Sequence, residues 1–426
     1  MHSQSPDQRL NVPTSHRVRL ATTLANAGLF CLPALVVAVS SNLLPFAVLL
    51  LASTVLVPDL IWRARIQARP ASRALAILVL LSLAGAALSL LWFDQGLRDV
   101  DNRSRFVVMP WIVLWCCALQ LHAAWLWRGA LVGLLLVLLL SVLQVAGGAP
   151  RADLYTNAIV LADIVLVLMV LLMFLRPPGL PAWGWVGLGL LAGGATIVLS
   201  GSRGVFLALA AVMLVLVLSL RWGSRRLRLS LLAAAVLGGS GLLLVSPELR
   251  EQMRLTELHQ DVQRLERGDT NSSAGARVER LQVAYDAFVD HPWTGVGIGR
   301  FDSAMQRLPL CSVQPDEPRC HLGHAHNDLA EWAATQGIPG VLLLLAAYGL
   351  PAGLFWWLHR RSGRDTFRGP AAAGLMIVIS YVLCGLTQSM FAHQITASFY
   401  VSIVALLAGL SRVEGVARAR AVASSG

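Results

Sequence analysis

The sequence contains no lysine: all 34 of its basic residues are arginine. Charged side chains as a whole make up only 13% of the 426 residues, about half of the roughly 25% usual in soluble domains, while 56% are hydrophobic. That balance excludes a soluble globular protein. Segments of alternating polarity, the mark of a membrane β-barrel, are also missing, and uninterrupted apolar runs such as 131–140 and 212–220 stand in their place. The formal net charge of +11 does not point to nucleic acid, because the arginines fall in short clusters between apolar runs rather than along one face. Such clusters are a topology signal. Repeats and low-complexity tracts are absent. Ionisable residues inside the apolar runs are nearly absent too, which argues against an ion-coupled transporter. The two to note are Asp163, within a run, and Asp59, at the end of one; pairing with a neighbouring arginine or with backbone is the expectation for both. Cysteine is scarce, with six residues. Cys31, Cys116, Cys117 and Cys384 lie in apolar runs, where a thiol behaves as a small hydrophobe, whereas Cys311 and Cys320 share a polar segment.

What is present is enough apolar sequence for about twelve spans of about 20 residues each. The windows are 20–39, 43–62, 74–93, 106–123, 129–146, 158–175, 183–200, 204–220, 229–246, 337–358, 370–389 and 394–411. With the N-terminus placed in the cytoplasm, twenty arginines fall on inside segments and five on the short outside ones. The positive-inside rule therefore puts both termini in the cytoplasm. The expected fold is an all-α polytopic membrane protein with about 12 transmembrane helices and one large loop between spans 9 and 10. The expected divisions are a cytoplasmic tail (1–19), transmembrane helices 1–9 (20–246), a periplasmic loop domain carrying the site (247–336), transmembrane helices 10–12 (337–411) and a second cytoplasmic tail (412–426).

The long loop lies outside, which in a bacterium is the periplasm, and loops of this length usually carry function. An oxidising compartment makes a Cys311–Cys320 disulfide the expectation. Residues 247–267 read as one amphipathic helix on the membrane surface or on the bundle, with Leu249, Met253, Leu255, Leu258, Val262 and Leu265 at mostly helical spacing. A second helix begins after Asn271-Ser272-Ser273, which supply capping side chains, and ends at His291-Pro292. Val278, Leu281, Tyr285 and Phe288 form an apolar stripe along it. Gly295, Gly297 and Gly299 then make a flexible turn where backbone can approach a ligand closely.

The candidate chemistry collects on the outer face. Arg203, in Ser200-Gly201-Ser202-Arg203-Gly204, reads either as a snorkelling anchor or as a phosphate contact. Arg277 and Arg280 open the second loop helix, where a helix dipole adds to their charge; Arg300 follows the glycine turn. The densest cluster is His321, His324, His326, Asn327, Asp328 and Glu331. Its spacing does not match a helical metal pair, so the expectation is metal: none, and no cofactor. One histidine acting as general base, its tautomer held by Asn327 or Asp328, requires less. Histidine and arginines at the outer membrane boundary suit a lipid-linked pyrophosphate donor and a hydroxyl acceptor, and so glycosyl transfer.

These segments resemble the bacterial O-antigen ligases and the related O-antigen polymerases and protein O-oligosaccharyltransferases. The resemblance rests on Ser202-Arg203-Gly204, on Gly275-Ala276-Arg277, on the run from His291-Pro292-Trp293 to Gly299-Arg300-Phe301, and on His326-Asn327-Asp328-Leu329 running to Gly337-Ile338-Pro339-Gly340. It implies a C-type glycosyltransferase-like fold (GT-C) in the bacterial inner membrane, with the active site facing the periplasm. It further implies transfer of O-antigen polysaccharide from undecaprenyl pyrophosphate to lipid A-core, metal-independent and inverting. By that resemblance His326 is the base and Arg203 and Arg277 bind the diphosphate. Arg280, Arg300, His324, Asn327 and Asp328 are candidates for secondary contacts. His324 flanks His326, so the choice between them rests on the His-Asn pairing. The expected partners are the polyprenyl-linked O-antigen, lipid A-core oligosaccharide and membrane lipids.

Other readings remain open. A polymerase shares the donor and motifs but is expected to carry substantial extra loops or a second arginine-rich periplasmic loop. A protein O-oligosaccharyltransferase is often longer at its C-terminal end. A lipid-linked oligosaccharide flippase fits the number of spans but is expected to carry cationic residues through its central cavity.

Overall fold

The computed structural model describes residues 15–220, 224–253, 255–267, 272–364 and 366–425. Among the described residues every regular element is a helix. Before the long loop these are α1 (His16–Leu35), α2 (Leu44–Leu56), α3 (Pro58–Arg63), α4 (Arg65–Phe93), α5 (Asp101–Ser104), α6 (Val108–Leu119), α7 (Ala123–Ala146), α8 (Ala158–Phe174), α9 (Leu180–Ser200), α10 (Phe206–Ser219) and α11 (Arg225–Val245). The loop holds α12 (Pro247–Gln252), α13 (Leu255–Glu266), α14 (Ser273–Asp290), α15 (Phe301–Met305) and α16 (Pro309–Val313). It is followed by α17 (Asp328–Arg361), α18 (Pro370–Cys384) and α19 (Gln394–Ser425).

Each apolar window falls on a helix, the second on α2 and α3 together. Among the described residues six helices are long and apolar enough to cross a bilayer, and four shorter apolar ones accompany them. The chain is a multi-pass helical membrane protein. Several boundaries differ from the sequence reading: α4 begins at Arg65 rather than near 74, and α18 ends at Cys384 rather than near 389. Helix α17 begins at Asp328 rather than near 337, bending at Gly337 (φ 63°, ψ −150°), and α19 continues as helix to Ser425 past the last apolar window.

The connections sort to two ends of the bundle. At one end Asn102 Nδ2 donates to Ala392 O at 2.8 Å, Gln95 Nε2 to Ile298 O at 2.8 Å and Gln252 Nε2 to Leu199 O at 3.1 Å. At the other, Arg17 pairs with Asp59 at 3.2 Å, Arg412 Nε donates to Gln67 O at 3.1 Å and Arg418 to Ser362 O at 2.9 Å. The first and last described helices therefore start and finish at the same end, which is also the arginine-rich one.

Helix α8 is apolar on every side, and only Ile159 of its residues is not buried. A helix with that pattern belongs in a core, and the others pack around it. Close packing uses small residues, as membrane interfaces do. A Cβ at Gly129 or Gly133 of α7 would stand 2.2 Å from Phe30 O or 2.3 Å from Pro33 O of α1. Asp59 meets an arginine as expected, but Asp163 does not; it is buried in α8, and its Oδ2 has no hydrogen-bond partner among the described residues.

The loop segment has its own small core, in which Phe301 and Met305 pack with Val283, Ala284, Ala287 and Ala334. Cys311 and Cys320 are joined by a disulfide, with Cα atoms 5.7 Å apart. Two sequence expectations are corrected here. Residues 247–267 form two helices, α12 and α13, instead of one; Arg254 and the side chains of Leu249, Leu258, Val262 and Leu265 lie outside the described residues. Ser272 caps α14, accepting from Gly275 N at 3.0 Å, while Asn271 lies outside the described residues. The stripe on α14 faces outward: Val278, Leu281 and Tyr285 are exposed, because close approach to α17 calls for the small Ala284 and Ala287. The glycine turn approaches protein backbone rather than a ligand. Val296 N donates to Ala334 O and Gly297 N to Thr335 O, each at 2.9 Å, and Ile338 N donates to Pro292 O at 2.7 Å. A Cβ at Gly337 would stand 2.3 Å from Pro292 O, so the bend in α17 and the turn fit only as glycine.

Candidate functional site

The start of α17 is fastened from several sides. Asn327 caps it, Oδ1 accepting from Ala330 N at 2.9 Å, while Asn327 Nδ2 donates to Leu386 O at 3.0 Å and Asp328 N to Gly385 O at 2.8 Å. The first turn carries two buried carboxylates, Asp328 and Glu331, where the positive end of the helix dipole favours them. Tyr348 donates its hydroxyl to Asp328 Oδ2 at 2.6 Å, and Ala325 N donates to Glu331 Oε2 at 2.7 Å. Arg103, 5% exposed, lies with its guanidinium 3.3 Å from the centre of the Trp332 ring. Burial lowers its pKa to about 9, and Asp328 and Glu331 act to raise it, so it remains a cation between two acids.

This frame holds His326 in an unusual backbone conformation, with φ 55°. A non-glycine residue in that region persists only where its surroundings over-determine it. The imidazole Nδ1 lies 2.6 Å from Gln388 Oε1. That amide oxygen also accepts from Ser389 N at 3.0 Å, which fixes the amide orientation, so Nδ1 carries the proton and Nε2 presents a lone pair. The sequence reading gave this orienting role to Asn327 or Asp328. Both are instead engaged in capping and in the buried network, and Gln388 takes their place.

Two more imidazoles stand edge-on nearby, His324 with its ring centre 4.4 Å from that of His326 and 4.6 Å from that of His393. Burial lowers the His326 pKa to about 4, helped by the charges of Arg280 and Arg277 and opposed by the Gln388 hydrogen bond. Burial likewise lowers His324 to about 3, with His326, His393 and Arg280 acting in the same direction. These rings are neutral at neutral pH. Among the described residues no group of three or more His, Cys, Asp or Glu is arranged to hold a metal ion.

The arginines reach this place from two elements. Arg203 sits in the turn between α9 and α10, where Gly201 takes φ 61° to end α9. A Cβ at Gly204 would stand 2.5 Å from Thr387 Oγ1, so the turn packs directly on the segment that carries Gln388. Arg277 and Arg280 project from the first turns of α14, three residues apart and hence neighbours on its surface. Burial, then the charge of Arg203, lowers the pKa of Arg277; burial, then Arg277, lowers that of Arg280. The positive charge therefore runs without a break from Arg203 through Arg277 and Arg280 to His326. Arg300 is not part of this run and lies over Phe93 at 6.0 Å.

The sequence reading passed over Gln388, His393 and the buried role of Arg103. Gln388 was drawn inside an apolar window, and the polar trio Thr387-Gln388-Ser389 was the signal that could have shortened that window.

Residues 188–345 match the family model described as O-antigen ligase. The match takes in Arg203, Arg277, Arg280, His324, His326 and the bend at Gly337. An uncharacterized protein of Haemophilus influenzae is 25% identical over 210 residues, which cover 49% of this chain and 52% of that protein; the chain thus spans about half the length of the relative it matches. Histidine and arginines are thus brought to one end of a helical membrane bundle, within a segment, residues 188–345, that is similar to the O-antigen ligase family.

Proposed function

We propose that the chain transfers O-antigen polysaccharide from undecaprenyl pyrophosphate to a hydroxyl of lipid A-core, at the periplasmic face of the inner membrane and with both termini cytoplasmic. The observation that carries this reading is the free Nε2 of His326, oriented by Gln388, beside the positive run that ends at Arg203. The gathering of arginine at the opposite end of the bundle and the Cys311–Cys320 disulfide support the orientation.

In this mechanism the diphosphate seats against Arg203 and Arg277, whose planar guanidinium groups suit phosphate oxygens. His326 Nε2 takes the proton of the acceptor hydroxyl as its oxygen attacks the anomeric carbon from the face away from the diphosphate. The carbon–oxygen bond to the diphosphate breaks, its electron pair leaves with undecaprenyl pyrophosphate, and the anomeric centre inverts. The step needs no metal. General-base help supplies about 10² to 10⁴ in rate, and stabilising charge on the leaving group adds to it. Donor binding also tunes the base, because an anion beside Arg277 and Arg280 offsets two of the charges that depress the His326 pKa.

The test is reconstitution of the purified protein with lipid-linked polysaccharide and rough lipopolysaccharide, with and without chelator. Capped lipopolysaccharide formed with chelator present supports the reading. Elongation of the lipid-linked chain without capping would assign the polymerase reaction instead.

A further inference from the structure

Helix α17 packs against α18 on one flank and against α4 on another. On the α4 flank the two helices part to leave a groove of about 470 Å³. Its walls are aliphatic, formed by Leu81 and Leu88 of α4 and Leu342 and Leu343 of α17, and Trp92, Phe93 and Trp293 line it too. Both indoles are exposed, as they are where side chains meet the headgroup level of a bilayer.

Three polar side chains break the apolar lining; Ser89 donates to Gln95 Oε1 and Thr294 to Gly295 O, which leaves Gln336. Gln336 is 8% exposed, lines the groove, and its Nε2 has no hydrogen-bond partner among the described residues. The amide lies beside α4, its Oε1 3.8 Å from where a Cβ at Gly85 would stand. A buried donor left unsatisfied is costly, so the groove suits a ligand that is apolar along its length and carries a carbonyl oxygen. Beside it, the guanidinium of Arg300 lies 6.0 Å from the centre of the Phe93 ring, and it belongs to no part of the positive run at His326.

We propose that this groove binds one acyl chain of a bilayer glycerophospholipid, with Gln336 Nε2 donating to the ester carbonyl and Arg300 meeting the phosphate at the rim. The volume suits a single long hydrocarbon chain and leaves the second chain in the bilayer. A polyprenyl chain has no acceptor along its length and would leave the amide unsatisfied. The site does not depend on which glycosyl transfer the chain performs.

The test uses the full chain, purified in detergent, stripped of lipid and mixed with phosphatidylethanolamine, with bound lipid read by native mass spectrometry. The wild type retains one phospholipid. Gln336→Leu weakens retention by roughly threefold to tenfold, the worth of one hydrogen bond, and Arg300→Gln weakens it as well. Ala84→Trp, at an exposed position in the groove, abolishes it. Equal retention in all four proteins overturns the proposal, and so does displacement of the phospholipid by an equal amount of undecaprenyl phosphate. Should Gln336→Leu fail to fold, a photo-crosslinking residue at Leu88 in the otherwise wild-type chain reads the same contact. Capture of phosphatidylethanolamine supports the site, and absence of capture overturns it.

Discussion

His326 Nδ1 donates to Gln388 Oε1 at 2.6 Å, joining the residue just ahead of α17 to the segment just past α18. This contact selects the tautomer and aims Nε2, so we predict that Gln388→Ala lowers turnover by roughly 10²-fold through misplacement of the base. Gln388→Glu is expected to retain activity but to move its acid limb to higher pH, since a carboxylate favours the imidazolium. A pH profile of transfer in nanodiscs checks both.

His326→Ala is expected to lower transfer by about 10² to 10⁴, with membrane insertion unchanged because the residue lies outside the apolar spans. His324→Ala is expected to have a smaller effect. If full-length capped lipopolysaccharide persists in the His326 variant, the base assignment fails.

Arg203→Lys and Arg277→Lys are each expected to lower turnover by at least about tenfold, because an ammonium cannot make the two-pronged phosphate contact of a guanidinium. Wild-type kinetics in both would return these arginines to structural duty.

Stability should depend on pH through the buried imidazoles. His326 titrates near 4 in the folded protein, whereas an unfolded histidine titrates near 6.5. Above about 6.5 both states are neutral and stability is full. As pH falls from there towards 4 the unfolded chain takes up protons that the native site refuses, and stability is lost. The loss is of order 3 kcal/mol for this one histidine, and His324 adds to it in the same direction. Thermal unfolding between these pH limits should show the fall, and His324→Gln should reduce it.

Arg103→Met removes the buried cation that lies on Trp332 and acts on Asp328 and Glu331, and a loss of roughly 1 to 3 kcal/mol is expected. The expected result is a lower thermal midpoint together with loss of transfer, measured by unfolding in detergent.

Much of the bundle was legible because apolar length reports helices directly: every window from 20–39 to 394–411 met one. The arginines and His326 were legible as a set of charged and ionisable residues gathered at one membrane boundary. Contacts between distant segments were not. Nothing local to Gln388 says that it will meet an imidazole 62 residues away, and its apolar neighbours drew it into a span. The α14 stripe was visible, but which face is buried was not, because alanines can form the buried face where helices approach closely. Gly295 likewise read as freedom for a ligand, when it makes room for the backbone of Thr335 and Gln336.

Beyond its bend at Gly337 the long arm of α17 extends about 36 Å, against a hydrocarbon core of about 30 Å, and the imidazole stands just ahead of the short arm on the other side of the bend. Such a rod accommodates a thinner or thicker membrane by leaning or flexing at Gly337. Any lean on one side of that joint displaces the histidine relative to the turn bearing Arg203, so lipid composition becomes a control on reactivity that no substitution in the polypeptide is needed to exert.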